Sequence, residues 1–316
     1  MQKRQLGRSD LKVAPLCLGG NVFGWSIDEA ASFRVLDAFA DAGLNFIDTA
    51  DVYSRWAPGN RGGESETIIG KWFQRSGKRD SIVLTTKVGM DMGDGKVGLS
   101  KPYVLRAVED SLKRLQTDRI DLYLTHKDED PNTPQEETLS AYDELVRQGK
   151  VRVVGASNFT ADRLVEALKI SAEKGYARYQ CLQPEYNLIE RGYERELAPL
   201  CVQEQIGVTP YYSLASGFLT GKYHSEADLS KSAARSGNVK KYLDARGMNV
   251  LLALEEVAAK LGAKPASVAL AWLMTRPGVV APIASATSVE QLGDLIKAVT
   301  LRLDDDSLKR LDRADA

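Results

Sequence analysis

Eight short runs rich in apolar and β-branched residues recur along the chain, at 13–18, 45–47, 82–86, 120–124, 151–156, 181–183, 206–210 and 279–283. Between them the period changes. Over residues 28–42, Ala31, Val35, Ala38, Phe39 and Ala42 share one face, the three-and-four spacing of an amphipathic helix. Helices are likewise expected over 65–74, 101–115, 134–147, 161–173, 249–261 and 289–299, with an extra one over 265–274 opened by Lys264-Pro265. Near-continuous apolar strands alternating with helices call for a parallel sheet covered on both faces. Eight such units are the number that closes a (β/α)8 TIM barrel. A length of 316 residues suits one such barrel, so residues 1–316 read as a single α/β domain.

Two segments fall outside this alternation. Gln5-Leu6-Gly7-Arg8-Ser9-Asp10-Leu11 sets a turn between two apolar edges, the pattern of an N-terminal β-hairpin cap over one barrel end. Residues 216–246 form the longest irregular stretch, rich in Gly, Ser, Lys and Arg, a length typical of a functional lid or of a disordered segment. Composition narrows the partners. A net charge of −1 leaves no basic footprint for nucleic acid or an anionic membrane, which points to small molecules. Cys17, Cys181 and Cys201 are odd in number and scattered, without metal-ligand spacing or a disulfide framework, as expected in a reducing cytoplasm. The start, Met1-Gln2-Lys3-Arg4, has no signal-peptide core, and no apolar stretch is long enough to span a bilayer.

In a βα barrel the reactive groups lie at the C-terminal ends of the strands and in the loops that follow. The second strand runs into Asp48-Thr49-Ala50-Asp51-Val52-Tyr53, the third into Thr85-Thr86-Lys87 and the fourth into Leu124-Thr125-His126. Asp, Tyr, Lys and His therefore converge on one barrel mouth. Asp51 competes with Asp48 as the partner of Lys87, and ranks second because it follows the strand by more residues. The stretches Phe46-Ile47-Asp48-Thr49-Ala50-Asp51-Val52-Tyr53, Gly63-Glu64-Ser65-Glu66, Thr86-Lys87-Val88-Gly89, Asp121-Leu122-Tyr123-Leu124-Thr125-His126, Gly155-Ala156-Ser157-Asn158-Phe159 and Gln183-Pro184-Glu185-Tyr186-Asn187 resemble, in order and strand placement, the aldo-keto reductase superfamily over essentially the whole chain. That superfamily also contains potassium-channel β subunits.

The resemblance implies an oxidoreductase with a catalytic set of Asp48, Tyr53, Lys87 and His126 and no metal. Side-chain chemistry supports the same roles. Reduction of a carbonyl by hydride needs a proton donor at the oxygen, and Tyr53 offers a phenol of ordinary pKa about 10. Lys87 is expected to stabilise the phenolate and lower that pKa; Asp48 keeps the ammonium charged; His126 orients and polarises the substrate oxygen. His224, the second histidine, reads as a solvated surface residue.

No G-x-G-x-x-G turn opens a helix after a strand, since Gly19-Gly20-Asn21-Val22-Phe23-Gly24 reads as a loop. By resemblance, the cofactor is NADP(H), with NAD(H) possible. Ser157, Asn158 and Gln183 hold the carboxamide and Tyr211 stacks on the ring. The loop from Tyr212 through Leu214, Ser216 and Gly217 to Lys222 takes the pyrophosphate, and Thr287, Gln291 and Asp294 surround the adenosine end. There the chain departs from branches that place a Lys and an Arg at the 2′-phosphate; it has neither, and Leu295 stands where an Asn is common. Arg235 in the long loop is a candidate substitute. The substrate mouth is read as Phe23, Trp25, Trp56 and the loops 90–97 and 127–132, whose aromatic rings suit an apolar or ring-bearing small-molecule carbonyl or alcohol, while Lys127 favours a more polar pocket. Two other readings stay open: a cofactor-binding, redox-sensing subunit, disfavoured by the small size and lack of an added N-terminal segment, and a Schiff-base aldolase using Lys87.

Overall fold

The computed structural model describes residues 2–128, 130, 132–231 and 236–314. Two short strands, β1 (Arg4–Gln5) and β2 (Lys12–Val13), pair antiparallel with Arg4 opposite Val13. Eight parallel strands follow: β3 (Cys17–Gly19), β4 (Phe46–Asp48), β5 (Val83–Val88), β6 (Ile120–Thr125), β7 (Val151–Ser157), β8 (Tyr179–Gln183), β9 (Gly207–Val208) and β10 (Ile283–Ala284). Seven of their contacts are regular ladders, with β10 beside β3. The seam closes between β9 and the segment leading into β10. There Val208 bridges Val279, and Ile283 N donates to Pro210 O at 2.9 Å. The fold is a (β/α)8 barrel with an N-terminal hairpin.

The helices are α1 (Glu29–Asp41), α2 (Glu64–Ser76), α3 (Lys101–Leu115), α4 (Gln135–Arg147), α5 (Ala161–Lys174), α6 (Leu197–Gln203), α7 (Ser236–Lys240), α8 (Ala245–Leu261), α9 (Pro265–Met274), α10 (Val289–Lys297) and α11 (Asp305–Asp312). Several begin where a side chain caps the free amides: Asp28, Thr160, Asp244, Ser288 and Asp304 each accept from a backbone N–H of the first turn. The structure departs from the sequence pattern in three places. Val13 belongs to the hairpin, so the first barrel strand starts at Cys17. Helix α6 has only seven residues, too short for a periodic signal. The described residues of the 216–246 stretch hold more regular structure than its composition suggested, with 3₁₀ turns at Ala215–Thr220 and Glu226–Lys231 and the short α7. No helix among the described residues is long and apolar enough to cross a membrane.

The strand period of two decides what the barrel encloses. Cys17, Phe46, Val83, Leu122, Leu124, Val153 and Cys181 form the inner cluster, joined from below by Leu6, Leu11 and Val13 of the hairpin. Their neighbours Leu18, Ile47, Leu84, Tyr123, Val154 and Leu182 belong to the larger cluster between strands and helices. Two residues beyond Phe46 on the inner face comes Asp48; four beyond Val83 comes Lys87; two beyond Leu124 comes His126; two beyond Cys181 comes Gln183. The alternation that fills the bottom of the barrel with hydrocarbon thus sets polar groups at its top. Gly155 keeps this ring tight, since a Cβ there would stand 2.5 Å from Cys181 O.

Candidate active site

At the upper end of β5, Lys87 is fully buried and spends its three donors inside the protein. Its Nζ donates to Asp48 Oδ2 at 2.7 Å, to Thr49 O at 2.8 Å and to the Tyr53 hydroxyl at 2.8 Å. Tyr53 in turn reaches Asp48 Oδ2 at 3.3 Å, and Gln183 Nε2 donates to Asp48 Oδ1 at 2.9 Å. Asp48, not Asp51, is therefore the lysine's partner. Lys87 stands behind Tyr53 and does not line the cleft, whereas Asp48, Tyr53 and His126 do.

Protonation follows from burial. Desolvation, and after it the Asp48 carboxylate, push the Tyr53 phenol well above its ordinary value. This corrects the expected lowering by Lys87: in this arrangement the phenol is held loaded with its proton. His126 is 9 % exposed, and burial, with Lys87 and Lys127 nearby, holds its imidazole well below the ordinary range and thus neutral. Its Nδ1 is buried with no hydrogen-bond partner. The tautomer protonated at Nε2 leaves only a lone pair unsatisfied there, and makes Nε2–H the donor.

Tyr53, His126, Trp25 and Trp56 sit together over the barrel mouth. The Tyr53 and His126 rings are 5.8 Å apart, and Trp25 meets Trp56 edge-on at 5.4 Å. Trp56 is 47 % exposed and Met90 and Lys127 join the same lining. Phe23 does not. It is fully buried in the core beneath the mouth, and its carbonyl accepts the Ser54 hydroxyl at 2.7 Å. The loop after β3 folds back through a left-handed Gly24 (φ 73°), which turns Phe23 inward and leaves Trp25 at the surface of the cleft.

From this mouth one open cleft of ≈ 1310 Å³ continues past β7, β8 and β9 to the start of α10, lined in part by Ser157, Asn158, Gln183, Tyr211, Leu214, Ser216, Gly217, Lys222, Thr287, Gln291 and Asp294. Ser157 Oγ donates to Gln183 O at 2.8 Å, Asn158 Nδ2 to His126 O at 2.9 Å, and the Tyr211 hydroxyl to Asn158 Oδ1 at 2.7 Å. Asn158, Tyr212, Ala215 and Ser216 all have left-handed φ, as does Gly217 at 99°. Such strain in non-glycine residues gathers at ligand-binding loops. At the far end, Thr287 N and Oγ1 both donate to Gln291 Oε1, at 3.0 and 2.9 Å. Arg235 lies outside the described residues. The cleft also takes in residues that strand-end reasoning missed: Asn21, whose Oδ1 accepts from Ser285 Oγ at 2.5 Å, and Asn238 and Lys264, which follow no strand.

Behind the site, the Gly63-Glu64-Ser65-Glu66 stretch locks α2 to the strand ends. Ser65 Oγ is 2.8 Å from Thr49 Oγ1, and Glu66 accepts from Thr86 Oγ1 and from Arg114 Nε, each at 2.6 Å. Arg114 comes from α3, 48 residues on, and no local pattern announces it. Burial, and next the Glu66 carboxylate, push the Asp51 carboxyl well above its ordinary value.

The chain belongs to the aldo/keto reductase family, whose profile matches residues 15–316, and that membership places it among the oxidoreductases. It is 39 % identical over 318 residues to the uncharacterized oxidoreductase YrpG of Bacillus subtilis, covering 98 % of this chain and 95 % of that protein. It is 34 % identical over 307 residues to a probable voltage-gated potassium channel subunit beta of Arabidopsis thaliana, covering 95 % and 91 %. It is 31 % identical over 320 residues to norsolorinic acid reductase of Aspergillus flavus, covering 96 % and 78 %.

Proposed function

We propose that this protein interconverts an aldehyde or ketone with its alcohol, using NADP(H) as coenzyme and Tyr53 as proton donor. The observation that carries this reading is the buried Lys87 Nζ, 2.7 Å from Asp48 and 2.8 Å from the Tyr53 hydroxyl. The cleft suits a nicotinamide dinucleotide beside a small substrate: at ≈ 1310 Å³ it exceeds what one small carbonyl needs. Gln183 keeps its amide oxygen as an acceptor at the mouth end, while a small-residue loop and Lys222 lie further along. When bound, the coenzyme supplies hydride to the carbonyl carbon.

Tyr53 gives its phenolic proton to the carbonyl oxygen, completing the alcohol. As the proton leaves, the Lys87 N–H already directed at that oxygen stabilises the phenolate, so no charged group has to move. Asp48 and Thr49 O hold the ammonium in place. Neutral His126 donates to the carbonyl oxygen and fixes its direction. Trp25 and Trp56 cover the reacting atoms with apolar surface. The aldolase reading fails on the same geometry, because a lysine with its donors committed to three acceptors has no free lone pair to attack a carbonyl.

Tyr53→Phe tests the assignment. Loss of a general acid costs about 10² to 10⁴ in kcat, while affinity for NADPH, measured by fluorescence titration, stays within about twofold because the hydroxyl acts on the transition state. Full activity in the variant removes Tyr53 as the donor.

A further inference from the structure

We propose that Lys264 is the cation that receives the adenosine 2′-phosphate and so sets the preference for NADP(H) over NAD(H), an inference that rests on the coenzyme reading above and deepens it. After the last barrel strand the chain supplies Thr287, Gln291 and Asp294, but no lysine or arginine before Lys297, and Lys297 pairs with Asp294 at 2.8 Å. A dianionic phosphate placed there on neutral donors alone, beside a carboxylate, lacks charge-assisted bonds. The fold brings a cation from elsewhere.

Lys264 precedes α9, follows no strand, and lines the same cleft as Thr287 and Gln291. Two neighbouring contacts fix the start of α9 there. Ser267 Oγ, in the first turn of α9, donates to Asp294 O of α10 at 2.7 Å, tying the start of one helix to the other. A Cβ on Gly221 would stand 3.0 Å from Pro265 Cγ, so the turn that carries Lys222 abuts the residue next to Lys264. Lys264 therefore stands between the Lys222 turn and the Thr287–Gln291 clamp.

Its charge is also uncommitted. Nearby lysines are paired: Lys260 with Asp304 at 2.8 Å, Lys231 with Asp228 at 2.7 Å and Lys297 with Asp294. Among the described residues, Lys264 is exposed and enters no ion pair or side-chain hydrogen bond, and Lys222 enters no ion pair. Two available cations along one cleft match two separate phosphate positions, with Lys222 at the pyrophosphate and Lys264 at the 2′-phosphate. Gln291 Oε1 is taken by both donors of Thr287, which leaves its amide N–H groups to donate to the phosphate beside Lys264.

The test is titration of wild type, Lys264→Met and Lys264→Arg with NADPH, NADH and the fragment pair 2′,5′-ADP and 5′-AMP, at two salt concentrations. Lys264→Met is expected to weaken NADPH and 2′,5′-ADP by 10- to 100-fold, to leave NADH and 5′-AMP within twofold, and to flatten the salt dependence of NADPH binding. Lys264→Arg is expected to restore most of the loss. A wild type that prefers NADPH, with Lys264→Met weakening both coenzymes equally or neither, overturns this inference and leaves the NADP(H) reading standing. A wild type with no preference overturns that reading and this inference with it.

Discussion

At Lys87 an ammonium is held without solvent, its donors committed to Asp48, Thr49 O and Tyr53. Protonation at this site is set by what surrounds each group, and His126 offers a way to measure it. In the unfolded chain an imidazole takes up a proton near pH 6.5, whereas burial beside Lys87 and Lys127 keeps the folded one neutral. Below that pH the unfolded state binds more protons, so stability falls as pH drops from about 6.5 toward the folded value, by up to about 1.4 kcal/mol per pH unit. Asp51 acts with the opposite sign: its carboxyl is pushed up, so its contribution declines as pH rises from the ordinary carboxylate range through its raised value. Comparison with His126→Asn separates the two. Urea unfolding at pH 5.5 and 7 is expected to show the wild type losing more stability on acidification than the variant; parallel behaviour would mean the imidazole is charged in the folded protein. The residue types of the site were readable from the strand ends. The protonation state of Tyr53 was not, because desolvation depends on neighbours that local sequence does not name.

At the scale of elements, the close approach of α2 to α3 shows tertiary contact overriding helix propensity. Gly70 lies mid-helix in α2, where Ala is favoured by roughly 1 kcal/mol on propensity alone. A Cβ there would stand 2.2 Å from Arg114 O, a backbone atom that cannot swing aside. Gly70→Ala is expected to destabilise by about 1–3 kcal/mol, read as a lower urea midpoint; a rise in the midpoint would show that α2 can back away. Because Arg114 also holds Glu66, the variant tests whether this packing supports the strand ends carrying Thr86 and Lys87. The long helices matched their periodic faces, with α3 and α9 spanning the residues expected. Short elements did not: seven-residue α6 and the turns of residues 215–231 carry too few periods to read.

The whole molecule separates stability from chemistry along the barrel axis. The hairpin fills the bottom, where Leu6, Leu11 and Val13 join the inner cluster and Arg4 donates to Val279 O at 3.0 Å and Met274 O at 3.1 Å. The cleft opens at the other end. Leu6→Ala is expected to cost about 2–5 kcal/mol of stability while kcat, measured well below the melting transition, stays near wild type; a matching loss of kcat would show that the plug positions the site. What the sequence by itself determined is the alternation of strand and helix and, through the period of two, the inner ring of Asp48, Lys87, His126 and Gln183, since each follows from residues within a few positions. Only the tertiary structure decided the burial of Phe23 beneath Trp25, the Glu66–Arg114 pair and the arrival of Lys264 beside Thr287 and Gln291. Those depend on how distant elements pack and exclude water, and no local period records it.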